Sequence, residues 1–179
     1  PKFSGNFVFA PDSADLLALK KLAAVVARAN APSTPFAQLA FPFTSGDKII
    51  TDRVAKLKAA GKDYDGRADY QKGMVVMAAR SKFQPRLAVL EGGKVIDLTD
   101  DALKAKFKDR FYFGVQVLAQ VNLAWHKVGN NTPGVNAYLN MVLTLNRGEK
   151  LTGGASAADV FSGYVGGLTA EDPTGGAGV

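Results

Sequence analysis

A chain of 179 residues, 47% of them hydrophobic, is long enough to bury one core without metals or cross-links, and its lack of cysteine excludes disulfides, thiolate nucleophiles and cysteine-ligated zinc. It holds no apolar run of about 18 residues, and its Pro1-Lys-Phe-Ser-Gly start lacks the layout of a signal peptide, so a cytoplasmic protein without a membrane segment is expected. The net charge of +6 is concentrated, because residues 48–94 hold eleven basic against five acidic side chains; such a field suits a polyanion, and a solvated surface accounts for it equally well.

Taken in order, residues 5–10 read as a strand closed by Pro11, with Asp12 or Ser13 capping a helix over 14–29 whose Leu16, Leu19, Leu22, Ala23, Val26 and Ala29 recur at helical steps. Pro32, Pro35 and Pro42 make 30–46 an extended connection with partly buried phenylalanines. Residues 48–62 predict a short helix ending at Gly61, and 63–70 an exposed, mobile loop. Residues 73–80 and 86–91 are strand-like, Gly92-Gly93 turns the second into 94–97, and together they predict a meander followed by a short helix over 100–108. Every odd position from Phe111 to Trp125 is apolar, which predicts one long strand over 111–127 with Gly114 as its bend, paired through a 129–134 loop with a strand over 135–145. From Gly153 glycine is frequent and order is expected to decline. The sum is a mainly β chain with α elements: a small closed, OB-fold-like β-barrel with an early helix and short connecting helices. One domain over 1–165 and a flexible 166–179 tail are expected.

Catalysis is poorly supported. His126, the only histidine, sits at a strand end and reads as a surface or DNA-facing side chain rather than a base. Asp63, Asp65 and Asp69 lack the closing glutamate of a calcium loop and alternate with Lys62 and Arg67, which favours a solvated turn over a cation site. The glycines at 153–154 and 163–167 lack the lysine and hydroxyl residue of a phosphate loop. No catalytic residue, metal or cofactor is expected. What remains is the pairing of cations with aromatics that single-stranded nucleic acid requires, cations for phosphates and ring faces for bases. Arg80-Ser-Lys82-Phe83-Gln-Pro-Arg86 carries three cations and one aromatic in seven residues. Lys48, Arg53, Lys58, Lys62 and Arg67 add phosphate contacts, Tyr112 on the polar face of the long strand is the better stacking candidate there, Tyr64 and Tyr70 flank the basic loop, and Trp125 falls on the core side.

Several segments carry a resemblance: Pro42-Phe43 with Gly46-Asp47; Tyr64-Asp-Gly66; Met77-Ala-Ala-Arg80-Ser-Lys-Phe-Gln-Pro85; Phe111-Tyr-Phe-Gly114; Pro133-Gly-Val135 with Ala137-Tyr-Leu-Asn140; and Arg147-Gly-Glu149 with Leu151 and Gly153-Gly154. In order and spacing over residues 40–165 the chain resembles the tailed-phage single-stranded DNA-binding proteins long catalogued as a domain of unknown function. The resemblance implies an OB-fold, sequence-tolerant single-stranded DNA binding in phage replication or recombination, replication proteins as partners, and a binding cleft near residues 80–86 and Tyr112. A homodimer or a cooperative assembly on DNA would fit such a role. Proteins of this kind often end in an acidic tail; here the last residues hold only Glu171 and Asp172. The alternative from another class is a virion or scaffold component with a basic face toward DNA or another subunit.

Overall fold

The computed structural model describes residues 3–127 and 132–151. Its elements run β1 (Phe3–Phe9), α1 (Ala14–Asn30), β2 (Phe43–Ser45), α2 (Gly46–Ala59), β3 (Val75–Ser81), β4 (Arg86–Glu91), β5 (Lys94–Asp97), α3 (Asp101–Phe107), β6 (Val117–His126) and β7 (Gly134–Thr144). Local chemistry sets most boundaries. The Ser13 hydroxyl accepts from the Leu16 amide at 3.4 Å to start α1, and the Asp100 carboxylate accepts from the Leu103 amide at 2.8 Å to start α3. α2 ends as the spacing predicts: Gly61 is left-handed at φ 66°, Lys62 N–H reaches the Leu57 carbonyl at 2.9 Å and Gly61 N–H the Lys58 carbonyl at 3.0 Å. Gly92 and Gly93, both at positive φ, close the β4–β5 hairpin.

The seven strands form one mixed sheet, ordered β1-β3-β7-β4-β5, with β2 beside β3 and β6 beside β7. This is the expected mainly β class with three helices, and it is OB-like, but the sheet does not close into a barrel: among the described residues β6 pairs only with β7, and β1 only with β3. Nor do β3, β4 and β5 make a meander. β3 and β4 both run parallel to β7, Ala79 and Arg80 opposite Ala137 and Tyr138, then Arg86 to Val89 opposite Met141 to Thr144. Both lie on the same edge of β7, since β6 occupies the other edge along its length. The Arg80 to Arg86 step takes six residues against three on β7, so residues 81–85 are thrown outward as an excursion between two strands in line.

The long strand is shorter than the alternation predicts. β6 starts at Val117; residues 111–116 form a turn in which Gly114 has φ 94° and so close an approach that a Cβ there would stand 1.9 Å from the Glu149 carbonyl oxygen. Phe111 packs with the α3 cluster while Phe113 is exposed, so the odd positions part company before the strand begins. From 117 onward the period holds: Val121, Leu123 and Trp125 face the core. A register shift between Gln120 and Val121 leaves Asn140 of β7 without an opposite residue, and the inward set of β7 changes there from Val135, Ala137 and Leu139 to Val142 and Thr144.

The core lies on one face of the sheet. Ala23 and Ala27 of α1 seat on Val135, Leu39 and the flank of Trp125; Met77, Ala79, Ala137 and Leu139 continue the layer beneath Leu19, Phe7 and Phe9. α3 covers the other end with Phe107 and Leu103 against Val89 and Leu98. Among the described residues the opposite face exposes Ser4, Asn6, Arg80, Tyr138, Asn122 and Leu118, although Val76 and Ala88 on the same face are buried. The expected decline of order past Gly153, the 166–179 tail and most of the loop before Pro133 fall outside the described residues.

Candidate nucleic-acid interface

Pairing register carries side chains from four elements onto the open face. Directly opposed residues point the same way, so Ser4, Arg80, Tyr138 and Asn122 form one row across β1, β3, β7 and β6. Next to that row lies an open trough of about 380 Å³, floored by Ala78, Arg80, Asn136 and Tyr138, with His126 at one end, Ser81 and Lys82 on one bank, and Phe41, Pro42 and Thr44 on the other. The Phe41 bank is braced from behind. Arg28 at the end of α1 donates to the Pro32 and Thr34 carbonyls at 3.1 and 3.3 Å and lies 4.1 Å over the Phe36 ring, which meets Phe41 edge-on at 5.8 Å. At the far corner Ala40 bridges to Gly134 in parallel, so closely that a Cβ on Gly134 would stand 2.0 Å from the Ala40 carbonyl oxygen.

Of the cations singled out in the sequence, Arg80 and Lys82 line this trough, and among the described residues no ion pair engages either. Phe83 tops the neighbouring excursion and is 81% exposed; its amide is tied to the Ser81 hydroxyl at 3.2 Å. Arg86, at the excursion's other foot, is held by Asp97 at 2.8 Å. The α2 cations lie elsewhere. α2 hangs from the start of β3 through Gly46 N–H and the Met74 carbonyl at 2.9 Å, and Arg80 lies six residues beyond Met74, roughly 20 Å along an extended strand. Lys48 pairs with Asp52 at 2.9 Å, while Arg53 grips Asp65 with two donors, one at 3.0 Å. Lys58 and Lys62 are exposed at the end of α2.

Residues 63–70 are an anchored loop rather than a loose one. Arg53, and Arg67 at 3.6 Å, converge on Asp65, and the Arg53 hydrogen bond holds that carboxyl at a pKa of about 2. Tyr64 donates to Asp69 at 2.7 Å, which pushes the phenol up, and Gln71 donates to the Tyr70 hydroxyl at 2.6 Å. Tyr112 departs from its expected place: it precedes β6, in the turn, and its hydroxyl donates to the Gly148 carbonyl at 3.0 Å. Trp125 is half-buried against the α1 cluster. Sequence reasoning did not select Tyr138, Asn136 or Phe41. Tyr138 and Asn136 alternate with the buried Val135, Ala137 and Leu139, a signal present in the sequence; nothing local says that Arg80 is their neighbour.

A helix-backed mixed sheet that stays open on one side and bears a cationic, aromatic trough on its free face is an OB-like module. The chain belongs to the family described as Enterobacter phage Enc34, ssDNA-binding protein, whose model matches residues 1–172. Solved structures agree on the fold: the single-stranded DNA-binding protein from bacteriophage Enc34 is 16% identical with a TM-score of 0.59 over 88% of this chain and 76% of that one. A C-terminal truncation of that protein gives 16% and 0.59 over 84% and 73%, and its complex with ssDNA gives 15% and 0.57 over 84% and 74%. No curated protein matches the chain in sequence. Membership in this family leaves the virion or scaffold alternative without support. Among the described residues no helix is long and apolar enough to cross a membrane.

Proposed function

We propose that the protein binds single-stranded DNA without regard to sequence and without catalysing a reaction, in phage DNA replication or recombination in the host cytoplasm and alongside other replication proteins. The observation that carries this reading is the pair Arg80 and Tyr138, side by side on the open face, a cation with no ion pair among the described residues next to a ring 38% exposed. Arg80 and Lys82 take phosphates in the trough; Tyr138 and the projecting Phe83 stack on bases. Lys48, Arg53, Lys58, Lys62 and Arg67 extend the positive field along the approach, with Lys58 and Lys62 contributing most because Lys48 pairs with Asp52 while Arg53 and Arg67 share Asp65. Arg86 acts as the brace of the excursion through Asp97, and Tyr112 as a brace of the 148 loop rather than a stacking platform. Residues 1–165 would form the binding domain.

Fluorescence anisotropy with labelled oligo-dT over a salt series tests the reading. Affinity should fall steeply and linearly in log-log form as salt rises. Absent binding, or binding indifferent to salt, would end it.

A further inference from the structure

Among the described residues β6 pairs along one edge only, with β7, and its other edge differs from the remaining edges of the sheet. β5 is a four-residue strand bounded by Lys94 and Asp97, and β1 carries Gly5 in its middle. β6 runs for ten residues, VLAQVNLAWH, with no Lys, Arg, Asp, Glu, Pro or Gly. Such residues are the usual guards against edge-to-edge pairing. α1 packs on the half of β6 that holds Leu123 and Trp125, whereas Leu118, Ala119 and Gln120 are exposed on both faces of the strand. The Leu145 amide donates to the Gln116 carbonyl at 2.9 Å, which fixes the alternation: even positions of this stretch bond to β7, and the amides and carbonyls of Val117, Ala119 and Val121 point to the free edge.

We infer that this edge pairs antiparallel with the β6 edge of a second copy, about a two-fold axis at Ala119, so that two DNA-bound molecules share a continuous sheet. The register follows from the geometry. Ala119 faces its counterpart and Val117 faces the second copy's Val121, so each pair exchanges two hydrogen bonds. On the open face Leu118, 59% exposed, reaches the second copy's Leu118 diagonally beside Leu143 of β7. A second copy suits this edge better than a foreign peptide for a reason of charge. Two molecules of net +6 repel, and this uncharged stretch of β6 is where they approach with least opposition, most easily once DNA has neutralised the trough cations. The trough begins at the other end of the same strand, at His126, so the joined sheet presents both troughs on one face.

The inference rests on the proposed DNA binding only for its biological setting, and the test separates the two. Ala119→Pro removes an outward-pointing amide while leaving the β6–β7 bonds of Leu118 and Gln120, and Leu118→Lys places a guard charge on the same edge without touching the backbone. Full-length wild type and both variants are titrated onto dT oligomers that hold one molecule and onto dT oligomers that hold several, and sedimentation velocity follows the DNA-free protein at 1 M salt. Wild type should bind the long oligomer cooperatively and form dimers at high salt. Both variants should match wild type on the short oligomer and lose cooperativity by on the order of ten-fold, with monomers at high salt. Unchanged cooperativity and dimerisation in Leu118→Lys, or a wild type monomeric at high salt and non-cooperative on long DNA, overturns the edge pairing whatever the short oligomer shows. Failure on the short oligomer alone would instead overturn the DNA-binding reading.

Discussion

Arg80→Ala separates the electrostatic part of the trough from the stacking part. Each phosphate neutralised on a single strand releases counterions worth a slope of about 0.7 in log K against log salt. Arg80 lines the trough and has no carboxylate partner among the described residues, so its charge is available to a phosphate at no cost in broken ion pairs. The variant should therefore lower the slope by about 0.7, weaken binding about five-fold at 0.1 M salt, equivalent to roughly 1 kcal/mol, and converge with wild type near 1 M salt. Tyr138→Ala is the counterpart. It removes a stacking face at about 1 to 3 kcal/mol and should leave the slope unchanged at every salt. Anisotropy titrations of both variants at four or five salt concentrations give the slopes directly. An unaltered slope in Arg80→Ala, or equal slope changes in the two variants, would refute the assignment of Arg80 to a phosphate.

Gly46→Ala should destabilise the fold by about 3 kcal/mol or more, roughly 6 to 12 °C in thermal melting, because the new Cβ would stand 1.7 Å from the Gln71 carbonyl oxygen; a melting temperature within 2 °C of wild type, on the order of the measurement error, contradicts that packing. Tyr112→Phe should cost about 1 kcal/mol in urea unfolding through the lost bond to the Gly148 carbonyl and leave DNA affinity unaltered, the reverse of what a stacking role requires. The Asp65 carboxyl, held at about 2 by Arg53, should titrate by NMR well below the ordinary carboxylate range. Its folded pKa is depressed, so the stability it contributes is complete above about 4 and is lost as the pH falls toward 2; in Arg53→Ala the midpoint should rise toward the ordinary value, held below it by Arg67.

Signals confined to a few neighbouring residues were legible in the sequence. The cap at Ser13, the glycine stop at Gly61, the Gly92-Gly93 turn and the apolar side of the 100–108 segment each act within a turn or two of chain, and α1, the end of α2, the β4–β5 hairpin and α3 stand where those residues put them. What failed depends on distant partners. The alternation through Phe111 and Phe113 is a valid strand pattern; it breaks at Gly114, where the Glu149 carbonyl and Leu151, distant in sequence, come too close for a side chain. The parallel placement of β3 and β4 along β7 has no turn to announce it, so a meander was the natural reading of two nearby strands. The site divides in the same way. Arg80, Lys82 and Phe83 were visible as a local cluster; Tyr138 and Asn136 join them only through pairing across more than fifty positions, on a strand whose inward parity reverses at Asn140.

The in-line arrangement of β3 and β4 on one edge of β7 also governs when the molecule becomes competent. Among the described residues, apart from the β4–β5 hairpin and the β1–β3 and β2–β3 pairs, every strand pairing involves β7, so a nascent chain stopped before residue 134 has two separate fragments of sheet, an unpaired β6 and only the Ala78 and Arg80 half of the trough floor. The contacts that join them span long stretches of sequence, which makes their formation the late and slow event of folding. Synthesis of the final strand thus assembles the two fragments and the binding face in one step, and an incomplete chain has no finished surface with which to occupy DNA.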